Sequence, residues 1–296
     1  MRTRLAIVAV FALIAALVPL AGEPYYTKLA ARMAIFALAA VSLDLIVGYA
    51  GLVSFGHAAF FGLGCYAAGV LPLFGIQSAL VILPVAVLAA ALVGLLTGAV
   101  SLRASGLYFI FITLAFAQMV FYIAQGMRPL SGDDGFRLPA PTTLGGLRLT
   151  DPNTLLYFML ALLALATWVS WRITQSRFGH VIQAGRDNPM KLAAIGLSPY
   201  PYRLALYTYA CALAGLAGAA YANLTEFVAP ATMSWVLSGE LLFMVILGAV
   251  GTLTGAIIGA VVFVGLEQIL SAYTEYWLFP LGIILMLRVL LWPSSK

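Results

Sequence analysis

The stretch GYAGLVSFGHAAFFGLG, residues 48–64, lies between two strongly apolar runs and contains five glycines. Each glycine in a helix interior costs about 1 kcal/mol relative to alanine, so an unbroken helix is disfavoured over this stretch. Irregular backbone at membrane depth is tolerated only where it is buried in protein or lines a water-filled cavity. The stretch therefore predicts a broken or re-entrant segment that faces the interior of the protein.

The composition of the whole chain indicates an integral membrane protein. Of its 296 residues, 64% are hydrophobic and only 8% are charged, whereas soluble domains average about 25% charged residues. The apolar runs are continuous and do not alternate with polar residues, which favours helices over a β-barrel. We therefore predict an all-α polytopic membrane protein in contact with the lipid bilayer. The net charge of +5 fits an excess of basic residues in cytoplasmic loops and indicates no nucleic-acid partner.

Ten apolar segments can be distinguished along the chain. They cover about residues 5–22, 29–47, 56–72, 78–102, 107–126, 153–171, 203–224, 237–251, 256–273 and 276–292. Two glycine-rich breaks blur the boundaries of their neighbours, so we expect about 8–10 transmembrane helices in one transmembrane domain over residues 1–296. The first run follows Arg2 and Arg4 and resembles a signal peptide, but a first transmembrane helix is the favoured interpretation.

The distribution of basic residues predicts the orientation of these helices. Five basic residues concentrate in the stretch 172–203, which should therefore lie in the cytoplasm: Arg172, Arg177, Arg186, Lys191 and Arg203. Counting the segments from there places both termini in the cytoplasm and the long loop 127–152 outside. That loop is rich in proline and glycine and should be mostly irregular. Lys28 and Arg32 fall on the outside, against the rule.

Several polar or flexible residues near the first glycine-rich stretch are candidates for a translocation path. Asp44 lies late in an apolar helix, where an acidic side chain costs about 2.5–3.5 kcal/mol and usually faces the protein interior. Side chains of the glycine-rich stretch can hydrogen-bond, and its glycines let the backbone bend. The candidate set is Asp44, Tyr49, Gly51, Ser54, Gly56 and His57. The alternative is that the glycines allow close helix packing and the polar groups make structural hydrogen bonds.

A second glycine-rich stretch, GAVGTLTGAIIGA at 248–260, places Gly251, Gly255 and Gly259 at a spacing of four. This spacing predicts a helix face that packs closely on a neighbour. The pair Gly248-x-x-Gly251 also repeats the pattern of Gly48-x-x-Gly51, and both pairs follow segments predicted to run inward. Paired broken helices are typical of transporters built from repeats, although two such matches can also arise by chance.

The predicted cytoplasmic stretch SRFGHVIQAGRDNPMKLAAIGLSPYPYRL, residues 176–204, is amphipathic and moderately charged. Arg186, Asp187 and Asn188 precede a run of small residues that ends in a glycine turn at Gly196. A short helix of this kind suits docking into a groove of another protein. The alternative is a basic loop that only fixes the topology.

Motifs of several enzyme classes are absent from the sequence. It contains no G-x-x-x-x-G-K-[ST], so ATP binding through a P-loop is excluded. His57 and His180 are the only histidines, which excludes a metal site with several histidines, and no metal or other cofactor is expected. Cys65 and Cys211 both fall in apolar runs and behave as small hydrophobic residues. In a G-x-S-x-G nucleophile motif the serine stands two residues after the first glycine, whereas Ser54 stands three residues after Gly51. The stretch therefore does not match the motif of a serine nucleophile. We predict that the protein is not an enzyme.

Four stretches together resemble the LivM-type membrane permease of branched-chain amino acid ABC importers. They are DLIVGYAGLVSFGHAAFFGLGCYAAG (44–69), GLYFIFITLAFAQ (106–118), FGHVIQAGRDNPMKLAAIGL (178–197) and GELLFMVILGAVGTLTGAIIGA (239–260). LSGDDG at 130–135 is similar to the outside-loop motif of the family, with Ser131 in place of a glycine. Asp44 stands where the family more often has a neutral amide.

The resemblance implies a subunit that imports branched-chain or other hydrophobic amino acids across the bacterial inner membrane. The implied partners are a homologous LivH-type permease subunit, two cytoplasmic ATPase subunits and a periplasmic substrate-binding protein. Arg186, Asp187, Asn188 and Gly196 would couple the permease to the ATPases. Import of urea or short amides by the same architecture remains open, as do a secondary transporter and an intramembrane enzyme.

Overall fold

The structure is a computed structural model that describes residues 11–127 and 132–291, and it is almost entirely helical. In chain order the helices are α1 (residues 11–17), α2 (Pro24–Asp44), α3 (His57–Val70), α4 (Ala79–Ser101), α5 (Leu107–Gln125), α6 (Pro152–Thr174), α7 (Arg177–Asp187), α8 (Pro189–Ala194), α9 (Pro199–Thr225), α10 (Trp235–Gly248), α11 (Leu253–Tyr273) and α12 (Leu278–Leu291). The described residues also contain short 3₁₀ helices and four two-residue strands: β1 (Phe136–Arg137), β2 (Thr143–Leu144), β3 (Leu147–Arg148) and β4 (Phe227–Val228).

The predicted all-α polytopic fold is confirmed. Within the described residues, seven helices are long and apolar enough to cross a membrane, namely α2 and the turn after it, α3 with the turn after it, α4, α5, α6, α9 and α11. The apolar helices α10 and α12 are shorter. The bounds of α3 to α6 and of α10 to α12 lie within three residues of the predicted segments, whereas α2 begins at Pro24, five residues before the predicted segment, and α9 begins at Pro199, four residues before it.

Helix α2 occupies the centre of the bundle. It packs against α6, α9, α10 and α11, and its second half, from Ala34 to Asp44, is buried on all sides. Small side chains in this half let the neighbouring helices approach closely. A second layer is formed by α3, which packs against α4 and α9. A Cβ at Gly64 of α3 would overlap the carbonyl oxygen of Gly215 in α9, so these two backbones are in direct contact.

The bundle has two distinct ends. At one end, which we call the helical end, α7 and α8 connect α6 to α9. At the other, the hairpin end, β1 pairs with β4 and β2 pairs with β3, all antiparallel. The loop 127–152, predicted to be mostly irregular, contributes β1, β2 and β3. Its residues 128–131, including the first two residues of LSGDDG, lie outside the described residues, as do Arg2, Arg4 and Lys296.

Arg32 was predicted to lie on the outer side, where basic residues are less common. In the structure it forms an ion pair between two helices of the bundle. Its Nη2 lies 2.7 Å from Oε1 of Glu267 in α11, and its guanidinium carbon lies 5.6 Å above the ring centre of Phe36. Basic side chains within membrane-spanning segments normally find such partners. The side chain of Arg32 therefore joins α2 to α11. Its contacts with Glu267 and Phe36 explain why a basic residue occurs at this point of α2.

Candidate functional site

The first glycine-rich stretch contains a helix break, as its composition predicts. Helix α2 ends at Asp44 and continues as a π-helical turn, Leu45–Tyr49. Residues 50–56 are not helical, and α3 then begins at His57. The break is shorter than the quoted stretch, because Gly62 and Gly64 lie inside α3. A side chain at either position would overlap Met233 or the backbone of Gly215, so these glycines serve close packing.

Protein side chains accept hydrogen bonds from several backbone N–H groups at the first break and at the start of α3. The Phe55 N–H donates to Oγ1 of Thr113 in α5 at 3.3 Å, and the Gly56 N–H donates to Oγ of Ser54 at 3.3 Å. The Ala58 N–H, in the first turn of α3, donates to Oγ of Ser238 in α10 at 3.0 Å. The irregular segment is therefore held by protein groups from α5 and α10, which is the condition for non-helical backbone at membrane depth.

His57 makes an interhelical hydrogen bond in the interior of the bundle. Its side chain is fully buried, and Nε2 lies 2.7 Å from Oγ of Ser42 in α2. The Ser42 hydroxyl donates to the carbonyl oxygen of Ala39. Because a hydroxyl has only one hydrogen, Nε2 of His57 is the donor in the bond to Ser42. His57 thus ties the start of α3 to α2.

The second glycine-rich stretch contains a break that lies directly against the first. Between the end of α10 at Gly248 and the start of α11 at Leu253, Ala249 and Gly251 have φ angles of 80° and 79°. The Gly251 N–H donates to Oδ1 of Asp44 at 2.7 Å. A Cβ at Gly48 would overlap the backbone of Gly251. The two Gly-x-x-Gly pairs are therefore in van der Waals contact in the folded chain.

Asp44 is a completely buried acceptor at this contact. Its side chain has no exposed surface, and within the described residues its second oxygen, Oδ2, has no hydrogen-bond partner. The Gly251 N–H is partly buried, and the loss of its acceptor would cost about 1–3 kcal/mol, so this bond stabilises the second break. Asp44 thus holds the two breaks together.

Arg186 of α7 reaches the same contact from the helical end. Its Nη1 donates to the carbonyl oxygen of Gly48 at 2.6 Å, and its Nε donates to Oδ1 of Asp187 at 3.0 Å. The aliphatic part of the side chain lies on Gly51, where a Cβ would be 2.6 Å from Cγ of Arg186. Gly51 also has a φ of 70°, which favours glycine.

Residues predicted for three separate roles therefore meet at one place. We call the set Asp44, Gly48, Gly51, Arg186 and Gly251 the breakpoint cluster. Asp44 and Gly51 were predicted for a translocation path, Arg186 for coupling and Gly251 for helix packing. The sequence pointed to Gly48 only through the repeated Gly-x-x-Gly pattern, and it gave no signal that the two patterns touch.

Gly255 and Gly259 pack against α10 as their spacing predicts. A Cβ at Gly255 would overlap the carbonyl oxygen of Gly248, and one at Gly259 would overlap that of Met244. Gly251 differs from the prediction, because it precedes the first residue of α11 and contacts Gly48 instead. Its positive φ takes it out of the helix, so the predicted face of three glycines contains only two.

Helices α7 and α8 form a surface at the helical end. The Asn188 Oδ1 accepts a hydrogen bond from the Lys191 N–H at 3.0 Å and starts α8. Gly196 follows α8 with a φ of 81°. Two large apolar side chains are exposed here, Met190 at 81% and Ile195 at 72%. Sequence reasoning overlooked both, although apolar residues beside a short capped helix were the available signal.

A half-open cavity of about 790 Å³ lies beside the breakpoint cluster. Its lining includes Tyr49, Gly251 and Leu253 from the two breaks, and Trp168 and Trp171 from α6. This volume is within the range of small-molecule sites. Of the six residues predicted for a translocation path, only Tyr49 is part of this lining in the described chain. Ser54 and His57 lie buried elsewhere in the bundle.

Comparison with known proteins identifies a family of transport permeases. Residues 25–289 match the model of a family described as "Branched-chain amino acid transport system / permease component". The chain is 27% identical over 286 residues to the high-affinity branched-chain amino acid transport system permease protein LivM of Escherichia coli (strain K12). It is equally similar to the protein of that name from Salmonella typhimurium, and each match covers 88% of this chain and 67% of the relative. No solved structure matches the chain. The relatives are transport permeases, not enzymes.

Proposed function

The chain belongs to the family of permease components of branched-chain amino acid transport systems, and from this premise we propose that it is the transmembrane subunit of an ABC importer. It moves branched-chain, hydrophobic amino acids across the bacterial inner membrane with energy from partner ATPases. The observation that carries this proposal is the breakpoint cluster, where a surface helix contacts one helix break inside the bundle and that break in turn contacts a second. ATPases bound at the cytoplasmic surface can move helices in the membrane interior only through such a connection.

The energy source in this proposal is a pair of ATPase subunits. The chain lacks a P-loop, so it cannot bind ATP by that motif and depends on partners for ATP hydrolysis. The exposed apolar side chains of Met190 and Ile195 provide a docking surface for an ATPase groove. A homologous LivH-type permease subunit completes the membrane part, and a periplasmic binding protein delivers the substrate.

The charge distribution supports one orientation. The helical end carries exposed basic side chains, among them Arg172, Arg177 and Lys191. Because short cytoplasmic loops are enriched in lysine and arginine, we place the helical end in the cytoplasm. The hairpin end then faces the periplasm and the binding protein. Both termini lie in the cytoplasm.

Transport of radiolabelled leucine tests this function. The chain is reconstituted into proteoliposomes with its partner permease and ATPases, and uptake is measured with and without ATP and binding protein. Uptake that needs all components is the expected result. Omission of one component at a time provides the controls.

Two other results would change the proposal in different ways. ATP hydrolysis stimulated by urea or a short amide, without leucine uptake, would keep the architecture and replace the substrate. Leucine uptake that is independent of ATP would overturn the importer and indicate a secondary transporter.

A further inference from the structure

We infer that Arg186 is a positioning residue that makes α7 and both helix breaks move as one body, so that ATPase movement reaches the membrane interior through the breakpoint cluster. This inference rests on the proposed function and assigns Arg186 a role inside the permease. Docking of the ATPases belongs to other residues of the same stretch.

Arg186 contacts the first break through both parts of its side chain. The guanidinium donates to the Gly48 carbonyl oxygen, and Asp187 holds the guanidinium in place through a second bond at 3.0 Å. The aliphatic part packs on Gly51. The donors of arginine form a rigid planar fork, so one guanidinium can bind the carbonyl and the carboxylate together. A shift of α7 therefore acts directly on the backbone of residues 48–51.

The first break passes this movement to the second. Gly48 is in van der Waals contact with the Gly251 backbone, and Asp44 accepts a hydrogen bond from the Gly251 N–H. Because Gly48 touches the Gly251 backbone and Asp44 is fully buried, the two breaks are in direct contact at this point. A path of direct contacts thus runs from α7 through α2 to the start of α11.

Helix α7 is also attached to the two helices that flank it. The Gln183 side chain donates to the carbonyl oxygen of Thr174 at the end of α6. Arg203 of α9 donates to the carbonyl oxygen of Gly185 at 2.7 Å. The large exposed apolar side chains belong to α8 and the turn after it, where Met190 and Ile195 lie. Met190 and Ile195 therefore bind the ATPase, whereas Arg186 transmits its movement to the first break.

Both breaks have the geometry of hinges. Gly51, Ala249 and Gly251 have positive φ angles and lie outside helices. Hinges are a few residues at the ends of elements that absorb changes of φ and ψ. A force applied at Gly48 therefore bends the chain at these residues, because the helices on either side are stiff.

Substitution of Arg186 separates transmission from docking. In the complete transporter, Arg186→Gln should lower leucine uptake per ATP hydrolysed by about tenfold, because a hydrogen bond from a charged donor is lost. Co-purification of the ATPases should stay at the level of the unmodified chain. Arg186→Lys should restore uptake per ATP in part, since an ammonium group reaches the Gly48 carbonyl without the fork. Arg177→Gln, at an exposed position of the same helix, is the matched control and should change neither quantity.

Two results of this experiment would overturn the inference. If Arg186→Gln kept the unmodified ratio of uptake to hydrolysis, Arg186 would transmit nothing. If Arg186→Gln released the ATPases, Arg186 would be a docking residue.

A disulfide tests whether α7 and the first break move together. A Cβ at Gly51 would lie 3.7 Å from Cβ of Arg186, which is within the range of disulfide geometry, about 3.5–4.5 Å. The native cysteines, Cys65 and Cys211, are buried and free. In the double variant Gly51→Cys, Arg186→Cys, oxidation should raise uptake per ATP, and reduction should lower it again. Gly51→Ser, Arg186→Ser controls for strain at position 51 and should not respond to oxidation.

The outcomes distinguish this inference from the proposed function. If the oxidised variant hydrolysed ATP without uptake while the reduced variant transported, the contact would have to open and the inference would be wrong. Failure of the disulfide to form would contradict the placement of Arg186. Absence of ATP-dependent uptake by the unmodified chain would instead refute the proposed function.

Discussion

Asp44 shows how an acidic residue at a helix end can serve as a hydrogen-bond acceptor. Only one of its oxygens has a partner among the described residues, the Gly251 N–H. Nothing in this contact requires a negative charge, because an amide oxygen accepts the same bond. An asparagine side chain at this position could therefore accept the same bond.

We therefore expect Asp44→Asn to keep stability and leucine uptake close to those of the unmodified chain. Asp44→Ala leaves the partly buried Gly251 N–H without this acceptor and should lower the free energy of unfolding by about 1–3 kcal/mol. Thermal unfolding in detergent measures the difference. If Asn were as damaging as Ala, the charge of Asp44 would be needed and the acceptor role would be insufficient.

Gly48 has no room for a side chain. A Cβ there would overlap the Gly251 backbone and lie 2.6 Å from Oδ1 of Asp44. Gly48→Ala should therefore separate the two breaks and cost about 1–3 kcal/mol through overpacking. The unfolding midpoint and uptake report the effect.

Gly282 of α12 is the matched control for Gly48. No atom of the described part of the chain lies within 4 Å of a Cβ at this position. Gly282→Ala should leave stability unchanged or raise it by up to about 1 kcal/mol, because alanine favours helices. Equal effects at the two positions would contradict the contact between the breaks.

At the scale of elements, the pair α7 and α8 presents different residues to the bundle and to the solvent. Arg186 contacts the bundle, whereas Met190 and Ile195 are exposed. Exposed large apolar residues beside a capped helix are typical of a surface that a partner covers. The amphipathic pattern predicted a surface helix here, but it did not show that Arg186 faces the bundle while Met190 and Ile195 face the solvent.

Substitution of the outward residues should weaken ATPase binding. The double variant Met190→Asp, Ile195→Asp should lower the amount of co-purified ATPase by about tenfold, because central apolar anchors dominate such interfaces. Leu147→Asp, at an exposed position of the hairpin end, is the control and should have no effect. Undiminished co-purification of the double variant would place the docking surface elsewhere.

At the scale of the whole molecule, the Arg32–Glu267 pair connects two helices that are far apart in sequence. The pair is partly buried, with side-chain exposures of 29% and 17%. Removing one partner leaves the other charge uncompensated inside the bundle, whereas replacing both with apolar residues does not.

A double-mutant cycle tests this pair. Arg32→Met and Glu267→Leu, made singly, should each lower the free energy of unfolding by about 1–3 kcal/mol. The double variant Arg32→Met, Glu267→Leu should recover most of that loss. Unfolding in detergent gives these values, and additive losses would show that the two side chains do not interact.

The sequence by itself determined the class of the protein and the positions of its helices. Continuous apolar runs predicted the segments, and glycine-rich stretches predicted the two breaks. Hydropathy, glycine content and the spacing of basic residues are local properties, so they can be read without knowing what any residue contacts. The resemblance to a permease family rested on motifs that are also local in sequence.

Only the tertiary structure decided which residues meet. Gly251 lies 207 positions from Asp44, Glu267 lies 235 positions from Arg32, and Arg186 lies 138 positions from Gly48. Such pairs depend on how α2 packs against α7, α10 and α11, and no periodicity within one segment specifies them. Tertiary packing therefore turned two separate glycine patterns, a buried acid and a surface arginine into one cluster.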